Sequence, residues 1–239
     1  RLKLAKQEVS EDTTFAVDIG DKTFVTNNIF EISEEASYEI ASLLDVATWP
    51  KCVTRKNVMQ NDQTFIYAMC LGAVHNFGRG LWISRHTWKS VDVAHAICNM
   101  MQRAVPNFTF SSIQLNCNYN AKIHIDNNNL GPSALLALGS FRGGRVWIYD
   151  ERGESMMTLN EDIRGWKLHR AGDAIRGRYF NVRNRILLFD GTRPHAVEPF
   201  RGSRYSAVCF TSHLWHKSGQ VTKALVNDLY DLGFPVDFP

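Results

Sequence analysis

The 239-residue sequence holds little of what would settle its class at a glance. It has five cysteines, Cys52, Cys70, Cys98, Cys117 and Cys209, an odd number with no Cys-x-x-Cys pair. That pattern excludes a disulfide framework and a thiolate zinc site as organising devices. Scattered buried thiols in a reducing compartment are the expectation, and with it an intracellular location, the nucleus included. The longest apolar run, residues 134–138, is far below the ~20 residues that span a bilayer, so no membrane partner is expected. There is no internal repeat and no low-complexity segment. The chain begins at Arg1 with no charged-then-apolar leader, and so reads as a trimmed domain. Net charge is also scarce, at +3, but unevenly spread. Residues 1–50 hold four Lys/Arg against ten Asp/Glu, and residues 164–204 hold ten against three. Either an anionic partner sits beside the second stretch or the two stretches face each other.

What is present is an ordinary globular composition, 44% apolar and 21% charged, on a chain long enough to bury a sizeable core. Ser33 reads as an N-cap before Ala36, Ile40, Leu43 and Leu44 at helical spacing, with a stop near Pro50. Ser90 opens a second helix with Val91, Ala94, Ile97, Cys98, Met101 and Val105 on one stripe, closed by Pro106. Beyond residue 109 the texture changes to short β runs, at 109–119, 122–126, 134–140, 145–149, 185–190, 195–199 and 204–211. Turn-forming clusters at 127–132, 143–144 and Gly202 separate them. A last helix is expected after Ser218, burying Val221, Leu225, Leu229 and Leu232, with Gly233 at C′ and Pro235 beyond. The fold class is thus α+β, mainly a β core of sandwich or barrel type flanked by helices. It forms one domain, 1–239, with a mixed helical support at 1–108, the β core at 109–212 and the C-terminal helix at 213–239.

The sharpest chemical feature is His124-Ile125-Asp126. On a strand, residues i and i+2 share a face, so an imidazole and a carboxylate project together while Ile125 packs the other way. A second imidazole, His195, comes 71 residues later, after the apolar run 186–189. Two histidines and one carboxylate around a metal with other positions open is the site of non-haem Fe(II) oxygenases. Arg204 and Ser206 follow, sharing a face by the same alternation within an apolar run that includes Tyr205, Val208 and Phe210. A fixed guanidinium beside a hydroxyl suits a carboxylate, because the fork makes two charge-assisted hydrogen bonds.

The run NCNYNAKIHID (116–126), the turn and strand GGRVW (143–147) and the stretch RILLFDGTRPHAVEPFRGSRYSAVCF (185–210) resemble the Fe(II)/2-oxoglutarate dioxygenases over about residues 109–212. The resemblance implies a double-stranded β-helix, a distorted jelly roll, with iron at its open end. It implies His124, Asp126 and His195 as ligands of Fe(II). Arg204 would hold the distal carboxylate of the co-substrate 2-oxoglutarate, with Ser206 assisting. Asn116 and Tyr119, just before the HxD motif, are candidates to touch the co-substrate, and the alternation leaves open which of them points inward. In this family 2-oxoglutarate is converted to succinate as a substrate C–H bond is hydroxylated, and a co-reductant such as ascorbate remains open. A narrower similarity, carried by residues 124–133, 137–139 and 143–144, is to the TET/JBP branch, which oxidises the 5-methyl group of pyrimidines in nucleic acid. It implies Asn129 and Ser133 at the mouth of the site and DNA or RNA as partner.

Two further features bear on substrate. Arg164, Lys167, Arg170, Arg176, Arg178, Arg183, Arg185 and Arg193 are dense enough to neutralise phosphates, with Arg176 and Arg178 as candidate substrate contacts. The segment from Arg79 to Trp88 interleaves cations with Trp82 and Trp88, as base-stacking surfaces do; burial of both indoles in the core is the favoured of the two readings. His75, His86, His95, His169, His213 and His216 read as structural or surface residues, with His213 placed to support the site. In-class alternatives are oxidation of a protein side chain or a small metabolite. The alternative from another class is a non-catalytic β-barrel binding module.

Overall fold

A computed structural model describes residues 27–76 and 78–238. Strands are numbered in chain order. The major sheet runs β1 (Asn28–Glu31), β11 (Arg185–Phe189), β6 (Asn129–Leu138), β14 (Tyr205–Ser212), β5 (Ser112–Cys117), β3 (Ile66–Asn76), β2 (Lys51–Cys52), with β4 (Gly80–Ile83) paired to β3. The minor sheet runs β12 (His195–Val197), β8 (Val146–Tyr149), β10 (Ala174–Phe180), β9 (Ser155–Thr158). A ribbon of β7 (Phe141–Gly143) and β13 (Phe200–Gly202) closes one end. Every strand pairing is antiparallel. Two facing antiparallel sheets with helices on the back of the larger one make a double-stranded β-helix, the expected α+β fold.

Alternation explains how one sheet serves two cores. On β14, Tyr205, Ala207 and Cys209 join the large apolar cluster with α1 (Glu34–Val46), α2 (Val91–Ala104) and α3 (Lys223–Asp231). Ser206, Val208 and Phe210 line a cavity between the sheets. β5 divides likewise, Ile113 and Leu115 toward the helices, Gln114 and Asn116 toward the cavity. Leu135, Ala137, Leu187 and Phe189 of the major sheet meet Val146 and Ile148 of the minor sheet. Both faces of these central strands are covered, which is why they read as unbroken apolar runs.

The helices follow their capping chemistry. The N–H of Ala36 donates to Ser33 Oγ at 3.1 Å, the N-cap expected. Ser90 precedes α2 but makes no side-chain cap hydrogen bond. The last helix begins after Thr222, whose Oγ1 accepts from the Leu225 N–H, rather than after Ser218; Val221 lies outside it. It ends in a Schellman motif: Gly233, at φ +82°, donates to Tyr230 O and Phe234 donates to Leu229 O.

Three expectations are corrected. Residues 122–126 are not a strand but a segment touching the minor sheet through one bridge, His124 opposite His195. The turn expected at 127–132 is confined to 127–128, because β6 already starts at Asn129. There Leu130 pairs with Thr211, and Gly131, at φ +66°, lies where the register shifts against β14. The β core is also not confined to 109–212, since β1 pairs with β11 and β3 pairs with β5 inside the major sheet. Of the cysteines, Cys98 and Cys209 are buried, while Cys52, Cys70 and Cys117 are partly exposed, and all five are free thiols. No helix among the described residues is long and apolar enough to cross a membrane.

Candidate functional site

Four main-chain hydrogen bonds hold the segment that carries His124 and Asp126. Lys122 N–H donates to Val58 O at 3.0 Å and Asp126 N–H to Gly191 O at 2.7 Å. Between them, His124 and His195 exchange bonds at 3.0 and 2.9 Å. Ile125 turns away into a cluster with Trp147, Tyr149, Leu159, Ile163 and Ile175. The i, i+2 alternation therefore survives although no ladder forms. His124 Nε2 lies 3.9 Å from Asp126 Oδ1, and His195 Nε2 lies 3.8 Å from Asp126 Oδ2. One ligand atom from each of the three residues fits within 4.8 Å of the other two.

The ring orientations are equally determined. His124 Nδ1 lies 2.7 Å from Lys122 O, and His195 Nδ1 lies 2.8 Å from Arg193 O. A carbonyl only accepts, so each Nδ1 carries the proton and each Nε2 turns its lone pair toward Asp126. Burial first, and then the neighbouring His195, push His124 down to about 3, so its imidazole is neutral at ordinary pH. One ring nitrogen from each histidine and a carboxylate on one side of a point suit a divalent first-row metal and leave the opposite side free.

The cavity holding this trio has a volume of about 280 Å³ and continues to Arg204 and Ser206. Arg204 is 1% exposed, yet its Nε and Nη2 have no hydrogen-bond partner within the described protein. The guanidinium lies 5.5 Å from the ring centroids of both Phe141 and Phe200. Burial pulls it down to about 10. A buried cation without an anion is costly unless a ligand supplies one, and the two orphaned nitrogens fit the distal carboxylate of a dicarboxylic acid. The pair Gly143-Gly144 makes room for it. Gly144 has φ +71°, and a Cβ there would lie 2.9 Å from Arg204 Nε; a Cβ on Gly143 would lie 2.6 Å from Pro199 O. The backbone of Arg204 is pinned by Asn118: its N–H donates to Asn118 Oδ1 and its carbonyl accepts from Asn118 N–H, each at 2.8 Å.

Asn116 and Tyr119 both line the cavity, which resolves the open question of their direction. Asn116 donates to Ser206 Oγ at 3.2 Å, while the Tyr119 hydroxyl is occupied by Val58 O. Asn129 also lines the cavity. Ser133 does not lie at the mouth: it is 0% exposed and accepts from Asn129 Nδ2 at 3.0 Å. Arg176 and Arg178, expected at the substrate, are not brought to the cavity. They lie exposed on β10, where Arg178 pairs with Asp150 at 2.7 Å and Arg176 donates to Gly153 O. Much of the basic stretch is neutralised in the same way, Arg170 by Asp162, Arg185 by Glu31 and Arg193 by Asp190. Arg185–Glu31 is one contact between the acidic and basic stretches; residues 1–26 lie outside the described residues. His213 braces the mouth, its N–H donating to Asn128 O at 2.9 Å. Trp82 and Trp88 are 49% and 57% exposed, so burial in the core, the favoured reading, is wrong.

Sequence reasoning missed Arg55. It lines the cavity and donates from Nη1 to Asn116 Oδ1 at 3.0 Å. It sits in an irregular loop, where no periodicity marks which way a side chain points. The role of Asn118 had one signal, a non-glycine φ of +48°, which only coordinates reveal.

No protein-family model and no curated protein matches the sequence. Solved structures do. An oxidoreductase of the 2OG-Fe(II) oxygenase family from Burkholderia pseudomallei aligns over 72% of this chain and 76% of its own, at 14% identity and TM-score 0.45. NgTET1 in complex with 5mC DNA aligns over 84% and 77%, at 13% identity and TM-score 0.47. A prolyl hydroxylase from Trichoplax adhaerens, in complex with a hypoxia inducible factor oxygen degradation domain peptide fragment, aligns over 77% and 82%, at 16% identity and TM-score 0.44.

Proposed function

We propose that the protein is an Fe(II)- and 2-oxoglutarate-dependent dioxygenase that hydroxylates a C–H bond. The observation that carries this reading is the pairing, in one cavity, of an open two-histidine, one-carboxylate cluster with a buried arginine whose donors have no partner in the described protein. His124, Asp126 and His195 would hold the iron, and Arg204 with Ser206 would hold the distal carboxylate of the co-substrate. When bound, the iron and 2-oxoglutarate together supply the oxidising chemistry, with succinate and carbon dioxide as co-products. The protein's own part is to fix the two Nε2 atoms, to hold the Arg204 guanidinium against Phe141 and Phe200 for the co-substrate, and to exclude water with Leu135, Val146 and Phe189. A pure binding module has no need of an open metal cluster. Substitution of His124, Asp126 or His195 by Ala is expected to reduce 2-oxoglutarate-dependent succinate formation to background; full turnover in all three would end the assignment.

The finer reading is that the oxidised group is the methyl of a 5-methylpyrimidine in DNA or RNA. A second cleft of about 610 Å³ shares Asn57, His124, Asp126, Asn128 and Asn129 with the cavity; Lys56, Asn127 and Arg164 also line it, with Glu161 paired to Lys122 and Asp162 to Arg170. Lys56 and Arg164 make no ion pair among the described residues, so their charge is available to a phosphate, and the amides can meet base edges. Incubation with methylated and unmethylated oligonucleotides, read by nucleoside mass spectrometry, tests this. Oxidised methylpyrimidine supports it; succinate formation with peptides or metabolites alone turns the reading to the in-class rivals.

A further inference from the structure

The far end of the cavity contains a hydrogen-bond chain whose direction can be read. A guanidinium only donates, so the atom of Asn116 that meets Arg55 Nη1 at 3.0 Å is the amide oxygen. That fixes the flip of the amide and turns its NH₂ group to Ser206 Oγ at 3.2 Å. Asn116 and Ser206 are register partners on β5 and β14, so the contact is built into the sheet. With its oxygen accepting from Asn116, the Ser206 hydroxyl keeps its own proton free for a third group. Beside it stand Arg204 Nε and Nη2, again donors without a partner in the described protein.

We propose that Arg55 is a positioning residue that acts through Asn116 to make Ser206 a hydrogen-bond donor, so that this end of the cavity offers donors alone and selects a carboxylate. The inference rests on the reading of the cavity as a 2-oxoglutarate site. Without Arg55, the Asn116 amide is free to turn over. Its oxygen would then take the serine proton, and serine lone pairs would face the carboxylate.

The test is calorimetric titration of Mn(II)-loaded protein with 2-oxoglutarate and with 2-oxopentanoate, which carries a methyl where the co-substrate has its distal carboxylate. Two variants are compared with wild type, Arg55→Met and the double Arg55→Met/Asn116→Leu; the second also removes the amide oxygen that would take the serine proton. Mn(II) affinity, which depends on the trio at the other end, serves as the control for folding. A hydrogen bond to a charged group is worth enough that Arg55→Met should lose about tenfold in 2-oxoglutarate affinity, and the double variant should recover most of that loss. Binding of 2-oxopentanoate should stay within about twofold, because the group that the chain addresses is missing. An unchanged preference in Arg55→Met overturns the inference, as does a double variant that recovers nothing, which would assign the loss to the Arg55 charge. If wild type loads Mn(II) but binds neither keto acid, the co-substrate reading itself falls and takes the inference with it.

Discussion

Replacing Arg204 with Met should raise the stability of the ligand-free protein while abolishing its response to 2-oxoglutarate. Removing one member of a buried ion pair is normally destabilising, because a charge is stranded. Among the described residues no protein anion is left behind at Arg204, so the sign reverses. The fall from the ordinary arginine range of about 12.5 to about 10 corresponds to roughly 3 kcal/mol of desolvation cost. The faces of Phe141 and Phe200 return roughly 1 kcal/mol as cation–π attraction. A methionine, close to arginine in volume but ending where the guanidinium begins, occupies most of the slot without that cost. A gain of roughly 1–3 kcal/mol follows, equivalent to a melting temperature a few degrees higher in a chain of this size. With Mn(II) present throughout, 2-oxoglutarate at about a hundred times Kd should then stabilise wild type by about 2.7 kcal/mol and leave the variant unmoved, offsetting the variant's lead. Thermal unfolding of both proteins with and without ligand gives all four values. A variant that melts below wild type without ligand, or that still gains on adding 2-oxoglutarate, would refute the reasoning.

Other expectations are narrower. Gly144→Ala places a Cβ 2.9 Å from Arg204 Nε on a residue at φ +71°; it should cost about 1–2 kcal/mol in stability and weaken 2-oxoglutarate binding, both readable in the same melts. Glu198 receives two side-chain hydrogen bonds and a main-chain one from Arg145, and the side-chain bonds chiefly hold its carboxyl below the usual range. Its stabilising effect is therefore present above the unfolded carboxyl pKa and lost as pH falls through the lower folded value. Because Arg145 is half exposed, Glu198→Gln should cost only about 0.5–1 kcal/mol at pH 7 and nearly nothing at pH 3, by denaturant melts at each pH. Burial raises the Cys98 thiol to about 12 and Cys209 well above its ordinary value. Iodoacetamide at pH 8 should therefore reach Cys52 first and these two only on unfolding, as peptide mapping would show.

The parts of the site that were legible in the sequence are those set by local alternation. His124 and Asp126 share a direction because they are two residues apart, and Arg204 and Ser206 for the same reason. His195 could be matched to them because it follows an apolar run that had to be a central strand. What the sequence concealed depends on long-range packing. β3 does not alternate, since both its faces are largely covered, and its Ala, Met, Cys and Gly residues carry little strand signal. Asn127 to Pro132 has turn composition, yet β14 supplies partners that draw Asn129 and Leu130 into the sheet. Arg55 reaches Asn116 across 61 residues of chain, a distance no motif spans. The exposure of Trp82 was likewise undecidable without knowing that β4 hangs on the rim of the major sheet.

The reciprocal bonds between the main chains of His124 and His195 have a practical outcome for metallation. The two imidazoles are fastened to each other through the backbone, and each ring is tethered to a carbonyl two residues earlier. The seat is thus finished by folding and owes nothing to its occupant, unlike a zinc finger, where the ion is part of the folding energy. Chelators should then strip a bound ion without unfolding the protein, and manganese and cobalt should enter the same seat, cobalt more tightly and manganese less tightly than iron. Which ion such a seat takes would then follow that order and the supply.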